Sequence, residues 1–228
     1  MKKLLLIFTV LFYYTIYFFS QENVYSAVIV NFFPETTASQ PTFNINLKHE
    51  RDKTGKKLLR AFGYSSSYNL LISGTMLLLP ENITKWEGGN NLNGMLSQYK
   101  NSFTQSPVFD HDLWAVNYIG HPYQGSFYYN SIRSQGANIA TSALYNLSQI
   151  LLWEYIWEGG MEQPSIQDLI VTPVVGSIIG ELAYRATRSM GKNGFNWYEK
   201  AAVIILNPSY LLNNGFKTAK RNTTLNNL

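Results

Sequence analysis

His121, Glu154 and Asp168 are the residues of this chain best suited to acid–base chemistry. His121 is one of three histidines and lies in N-Y-I-G-H-P-Y-Q-G-S-F-Y-Y-N, residues 117–130. Five acids follow it before Met190: Glu154, Glu158, Glu162, Asp168 and Glu181. An imidazole beside a carboxylate can take a proton from water. On that reading His121 is a general base, and Glu154 or Asp168 orients it or holds a hard divalent cation. Arg133 would bind a phosphate or carboxylate, with Asn117, Tyr128, Glu158 and Glu181 as further binding residues. A plainer reading competes with it. His121 at a helix start can cap a backbone N–H, and Arg133, Arg185 and tyrosine hydroxyls can satisfy the acids in a polar core network.

Spacing adds detail. On an α-helix Glu154 and Glu158 are one turn apart and share a face with Leu147 and Leu151. Two carboxylates on such a face are costly to bury unless protonated, paired or metal-bound. Gly176 and Gly180 form a small-xxx-small pair that lets another helix, or a membrane-embedded partner, approach closely. The common catalytic signatures are missing: no G-x-S-x-G, P-loop, H-E-x-x-H, G-x-G-x-x-G or E-x-x-H pair occurs. No metal and no cofactor is therefore assigned from motifs. The chain has no cysteine, which excludes disulfides, thiol nucleophiles and thiolate metal sites.

The elements that must carry these residues read as helices. The apolar run 65–79, stopped by Pro80, is too short to span a bilayer on its own and is a core helix or one partly sunk in a membrane. Residues 81–107 form a loop-rich insert. Asp110 or Asp112 caps a short helix that Gly120 ends, and Pro122 opens the next, which runs to about Gln135 before Gly136. A helix over 138–157 ends at Gly159-Gly160. Pro164-Ser165-Ile166-Gln167-Asp168 resembles a capping box, and Thr172-Pro173 opens a further helix. The last helix covers about 196–206. With no strand alternation after residue 53, the expected fold is all-α, a compact multi-helix bundle of short apolar helices. The single helical domain is expected over 53–212, with a polar tail at 213–228.

Ahead of the domain, Lys2-Lys3 and the apolar stretch Leu4–Phe19 read as a secretory signal peptide over residues 1–26, with an irregular polar lead-in at 27–52. Charged residues make up only 14% of the chain and aromatics 15%, including 16 tyrosines. That suits large half-buried surfaces whose rings pack while their hydroxyls reach water or a headgroup. Cleavage would remove Lys2, Lys3 and Glu22, leaving 16 basic and 13 acidic residues. A net charge this small argues against a nucleic-acid partner. The local cluster Lys48, Arg51, Lys53, Lys56, Lys57 and Arg60 is either a headgroup contact or a solvated approach to a helix.

The motifs W-A-V-N-Y-I-G-H-P-Y-Q-G-S-F-Y-Y-N-S-I-R-S-Q-G and W-E-Y-I-W-E-G-G-M-E-Q-P-S-I-Q-D-L-I-V-T-P-V-V-G-S-I-I-G-E resemble an uncharacterised bacterial family, a domain of unknown function of exported proteins. The resemblance spans roughly 60–212 and implies shared positions that include Asn117, His121, Tyr128, Arg133, Glu154, Glu158, Asp168 and Glu181. It implies no activity. One departure is Ile132, where the family has a small residue, which implies looser packing beside the site.

Two functions follow as expectations. The first is an exported protein of the periplasm or outer membrane, a helical binding or structural module contacting membrane lipid and enclosing His121, Arg133, Glu154, Glu158, Asp168 and Glu181 in one polar cluster. The second is a hydrolase of an envelope lipid or ester. A hydrolase needs an open cleft at His121, whereas a structural module closes the same residues on each other.

Overall fold

The computed structural model describes residues 54–84, 86, 92–109 and 112–217. The expected signal peptide, the lead-in and the end of the tail lie outside them. Helix α1 is Thr54–Met76, followed by the short α2, Glu81–Thr84, and α3, Leu92–Thr104. A π-turn, Val116–Gly120, runs into α4, His121–Arg133. Helix α5, Ile139–Leu152, continues into a second π-turn, Trp153–Trp157. Helices α6 (Ile166–Met190), α7 (Trp197–Leu206) and α8 (Pro208–Asn214) complete the fold. Among the described residues there is no strand, only one parallel bridge between Val108 and Ser165. The all-α expectation holds.

Helix α4 is the core of the bundle. Every residue from Gln124 to Ile132 is buried, and α6, α5, α1 and α8 pack around it. The tightest of these contacts is made by glycines. A Cβ on Gly176 would stand 2.7 Å from the Gly125 Cα, and one on Gly180 would stand 2.8 Å from the Tyr129 ring. The small-xxx-small pair therefore serves α4, inside the protein. Ile132 is 2% exposed and packs with Leu58, Ala61 and Tyr145, so its side chain fills the core rather than loosening it.

Several local expectations change. Gly120 does not end a helix: its φ of −62° and ψ of −57° are helical. Pro122 lacks an N–H and would clash within a regular turn. The chain instead widens by one residue, and the His121 N–H bonds Val116 O. Thr172-Pro173 likewise opens no helix, because α6 runs through Pro173. An interior proline costs about 3 kcal/mol in an isolated helix, and here the packed turn holds it, with Asn146 Nδ2 donating to Pro173 O at 3.1 Å. The supposed loop at 81–107 contains α3, whose polar sequence carries little helix signal. Its tertiary anchors are Ser102 Oγ, which donates to Gly159 O at 2.7 Å, and Tyr99 OH, which donates to Ile156 O. Asn213 and Asn214, at the start of the expected polar tail, are held by the core; their amides donate to Ser131 O on α4 and to Ser134 O at its C-cap. In α1, only one face is buried, while Leu59, Leu70 and Leu71 are exposed.

The cap expected at Ser165 forms: its Oγ accepts from Asp168 N–H at 3.2 Å. Asn138 adds a cap that the sequence reading did not single out, accepting from Thr141 N–H. Ser165→Ala is expected to lower stability by about 1 kcal/mol, measurable as a reduced urea midpoint with an unchanged slope.

Candidate functional site

The two π-turns and the first turn of α6 bring His121, Glu154 and Asp168 together. One ligand-type atom of each lies within 4.8 Å of the other two, and all three residues are buried. Such π-turns are frequent at functional sites. His121 Nδ1 is 3.8 Å from Asp168 Oδ1, too far for a hydrogen bond. Asp168 Oδ1 instead accepts from Thr172 Oγ1 at 3.1 Å. Glu154 Oε2 accepts from the Ser165 N–H at 2.8 Å. In a capping box that N–H would be met by the acid at Asp168. Glu154 has taken over the task, which frees the Asp168 carboxylate to face His121. His121 Nδ1 and Glu154 Oε1 have no hydrogen-bond partner.

The shared face expected for Leu147, Leu151, Glu154 and Glu158 does not form. Leu147 and Leu151 are 37% and 45% exposed, whereas Glu154 is 2% exposed. The extra residue in the π-turn rotates the chain after Leu152, turning Glu154 inward while the leucines stay out. Burial is the main reason the Glu154 carboxyl is held well above the ordinary range, with Glu158 and Asp168 adding repulsion. Glu158 keeps part of its surface exposed but encloses its carboxyl, where Oε1 accepts from Trp86 Nε1 at 2.8 Å. Burial pushes Glu158 up to about 7, against the opposing influence of His121 and the Trp86 hydrogen bond.

The remaining predicted residues are elsewhere, so the single polar cluster is corrected to separate networks. Arg133 lies twelve residues along α4 from His121, about 18 Å at helical rise. It forms a two-pronged pair with Glu181 through Nε at 2.8 Å and Nη2 at 3.2 Å. Tyr129 OH and Arg185 Nε also donate to Glu181. Arg133 is thus committed to an internal carboxylate, not to a phosphate ligand. Tyr128 is fully buried and hydrogen-bonds Asn69 and Gln124. Asn117 is buried on the π-turn one turn before His121. Of the predicted set, His121, Glu154 and Asp168 converge, Glu158 stands beside them, and Arg133 with Glu181 forms another centre. Sequence reasoning missed Trp86 and Thr172. Trp86 lies in the segment that reads as loop, and no periodicity marks its indole; Thr172 carries only the helix-opening signal of Thr172-Pro173.

The fold and site define a class: an all-helical domain with a buried histidine–carboxylate cluster at two π-turns. Residues 106–209, a little under half of the chain, are similar to the family model described as a domain of unknown function (DUF3943). The matched segment is narrower than the 60–212 of the sequence resemblance and contains His121, Arg133, Glu154, Asp168 and Glu181. No curated protein and no solved structure matches the chain.

Proposed function

We propose that this chain is an exported, membrane-associated helical module of the cell envelope, in the periplasm or at the outer membrane. The outer face of α6 carries the reading. Ile170, Val174, Ile178 and Leu182 recur every fourth residue and are each between 45% and 62% exposed. Helix α6 has 25 residues and is apolar enough by length and composition to cross a membrane, yet only 22% of its most apolar window is buried by the protein. A row of this kind on a soluble monomer marks an interaction surface. Lipid contact along one side accounts for it without requiring the helix to cross. Exposed Leu70 and Leu71 on α1 and Ile204 and Ile205 on α7 add apolar surface.

The hydrolase alternative requires water and an ester to reach His121. With His121, Glu154 and Asp168 at 6%, 2% and 3% exposure, the cluster is closed, which favours a binding or structural module. The test is membrane partition. The wild-type protein is expected in the detergent-soluble, carbonate-resistant fraction and to float with anionic liposomes. Val174→Asp/Ile178→Asp should reduce the bound fraction at least tenfold, since each central acid costs roughly 2.5 kcal/mol or more in lipid. Folding should be preserved, because both positions are exposed. Wild type that stays in the aqueous fraction, or a double variant that floats equally well, would refute the reading.

A further inference from the structure

The geometry points to a first-row divalent transition ion, of the zinc class, bound by His121, Glu154 and Asp168. Three features of the cluster support it. The ligands come from three elements, the start of α4, the second π-turn and the first turn of α6, so the tertiary fold itself builds the set. Their donor atoms lie within 4.8 Å of one another, and 3.8 Å separates His121 Nδ1 from Asp168 Oδ1. Ligands about 2.1 Å from a tetrahedral ion stand roughly 3.4 Å apart, so an inward movement of about an ångström closes the site.

The independent observation is that two buried polar atoms lack partners. His121 Nδ1 and Glu154 Oε1 are without hydrogen bonds, and both residues are more than nine-tenths buried. Buried polar atoms are nearly always satisfied, and an ion bound by both atoms would satisfy them together. The neighbours are arranged as outer-shell partners: Thr172 Oγ1 donates to Asp168, and the Ser165 N–H donates to the other oxygen of Glu154. Arg133 and Arg185 both pair with Glu181. A divalent ion would supply counter-charge to carboxylates that desolvation otherwise penalises.

Imidazole with two carboxylates suits zinc, and manganese or iron more weakly, better than calcium or magnesium, which prefer all-oxygen sets. The assignment makes His121 a ligand rather than a general base. It does not depend on membrane association.

The full chain, purified in detergent, stripped with a chelator and dialysed, is titrated with Zn²⁺, Mn²⁺, Ca²⁺ and Mg²⁺. One Zn²⁺ per chain is expected, with a Kd below about 1 μM and a higher melting temperature. His121→Ala and the near-isosteric Asp168→Asn should each weaken binding about 100-fold or more, whereas Glu199→Gln on α7 should not. Because His121→Ala can disturb the packing of α4, circular dichroism accompanies each titration, and Asp168→Asn decides if His121→Ala fails to fold. Visible bands of the Co²⁺-loaded wild type should change in Asp168→Asn. Absence of stoichiometric Zn²⁺ binding, binding that survives Asp168→Asn, or preference for Ca²⁺ or Mg²⁺ would each overturn the assignment.

Discussion

Gly176→Ala is expected to destabilise the protein by about 3 kcal/mol, near the upper end for overpacking by one methyl group. The new Cβ would stand 2.7 Å from Gly125 Cα, 2.8 Å from Gly125 C and 3.0 Å from Ser126 N. These are backbone atoms of a buried helix. They cannot rotate away as a side chain could, and moving α4 would disturb its contacts with α1, α5 and α8. The reverse substitution meets the same obstacle, since a Cβ on Gly125 would approach Thr172 O to 2.6 Å. Gly63→Ala is the control. Gly63 is inside α1 with nothing within 4 Å of an added Cβ, so alanine there should stabilise by about 0.5–1 kcal/mol through helix propensity. Chemical denaturation of the three proteins reads both signs. A Gly176→Ala midpoint at or above wild type would show that α4 and α6 have freedom to separate.

Arg133→Met should cost about 3 kcal/mol, because it leaves a half-buried carboxylate without its main partner. Arg133 makes its two bonds to Glu181, donates through Nη1 to Ala137 O at 2.7 Å and lies 4.3 Å over the Tyr184 ring. Arg133→Lys should recover little, since an ammonium cannot reproduce the planar fork. The pH profile separates this role from simple packing. Burial alone would raise Glu181, but hydrogen bonding and charge from Arg133, with help from Tyr129 and Arg185, outweigh it and hold the carboxyl below its usual value. The folded protein then binds fewer protons at Glu181 than the unfolded chain. Its stabilisation is present above the ordinary carboxyl range and is lost as pH falls through the lower folded value. Wild type should therefore lose this increment on acidification, and Arg133→Met should show a flatter acid limb. The double variant Arg133→Met/Glu181→Met should be more stable than Arg133→Met alone, because no unpaired charge remains. Additive losses in the double variant would contradict the pairing.

Local structure was legible wherever a signal spans three or four residues. Ser165 caps the helix that follows it, because a side-chain oxygen at a helix start needs only a nearby backbone N–H. The glycine pair at 176 and 180 announced a close helix contact before any partner was known. Prolines gave a mixed signal. Pro122 stands in the first turn of α4 as read, although a π-turn runs straight into that helix; Pro173, read as a helix opener, lies in a packed helix interior, where neighbours supplied by the fold offset the local cost.

For the candidate site, residue types were legible and grouping was not. His121, Glu154 and Asp168 stand out as ionisable groups in apolar surroundings. The separation of Arg133 and Glu181 follows from the length of α4, along which twelve residues place them far from His121. Trp86 entered the site from a segment without periodicity.

The amino-acid sequence determined the all-α class, the Ser165 cap and the residues able to do chemistry, since these depend on side chains within one turn of each other. Only the tertiary structure decided which of them meet. Two π-turns each add a residue to a turn, and each addition rotates every later side chain about the helix axis. That rotation turns Glu154 away from the leucine face and toward His121 and Asp168. Short-range patterns assume a regular helix and cannot contain it, because the energy that holds the wider turn comes from packing between elements distant in the chain.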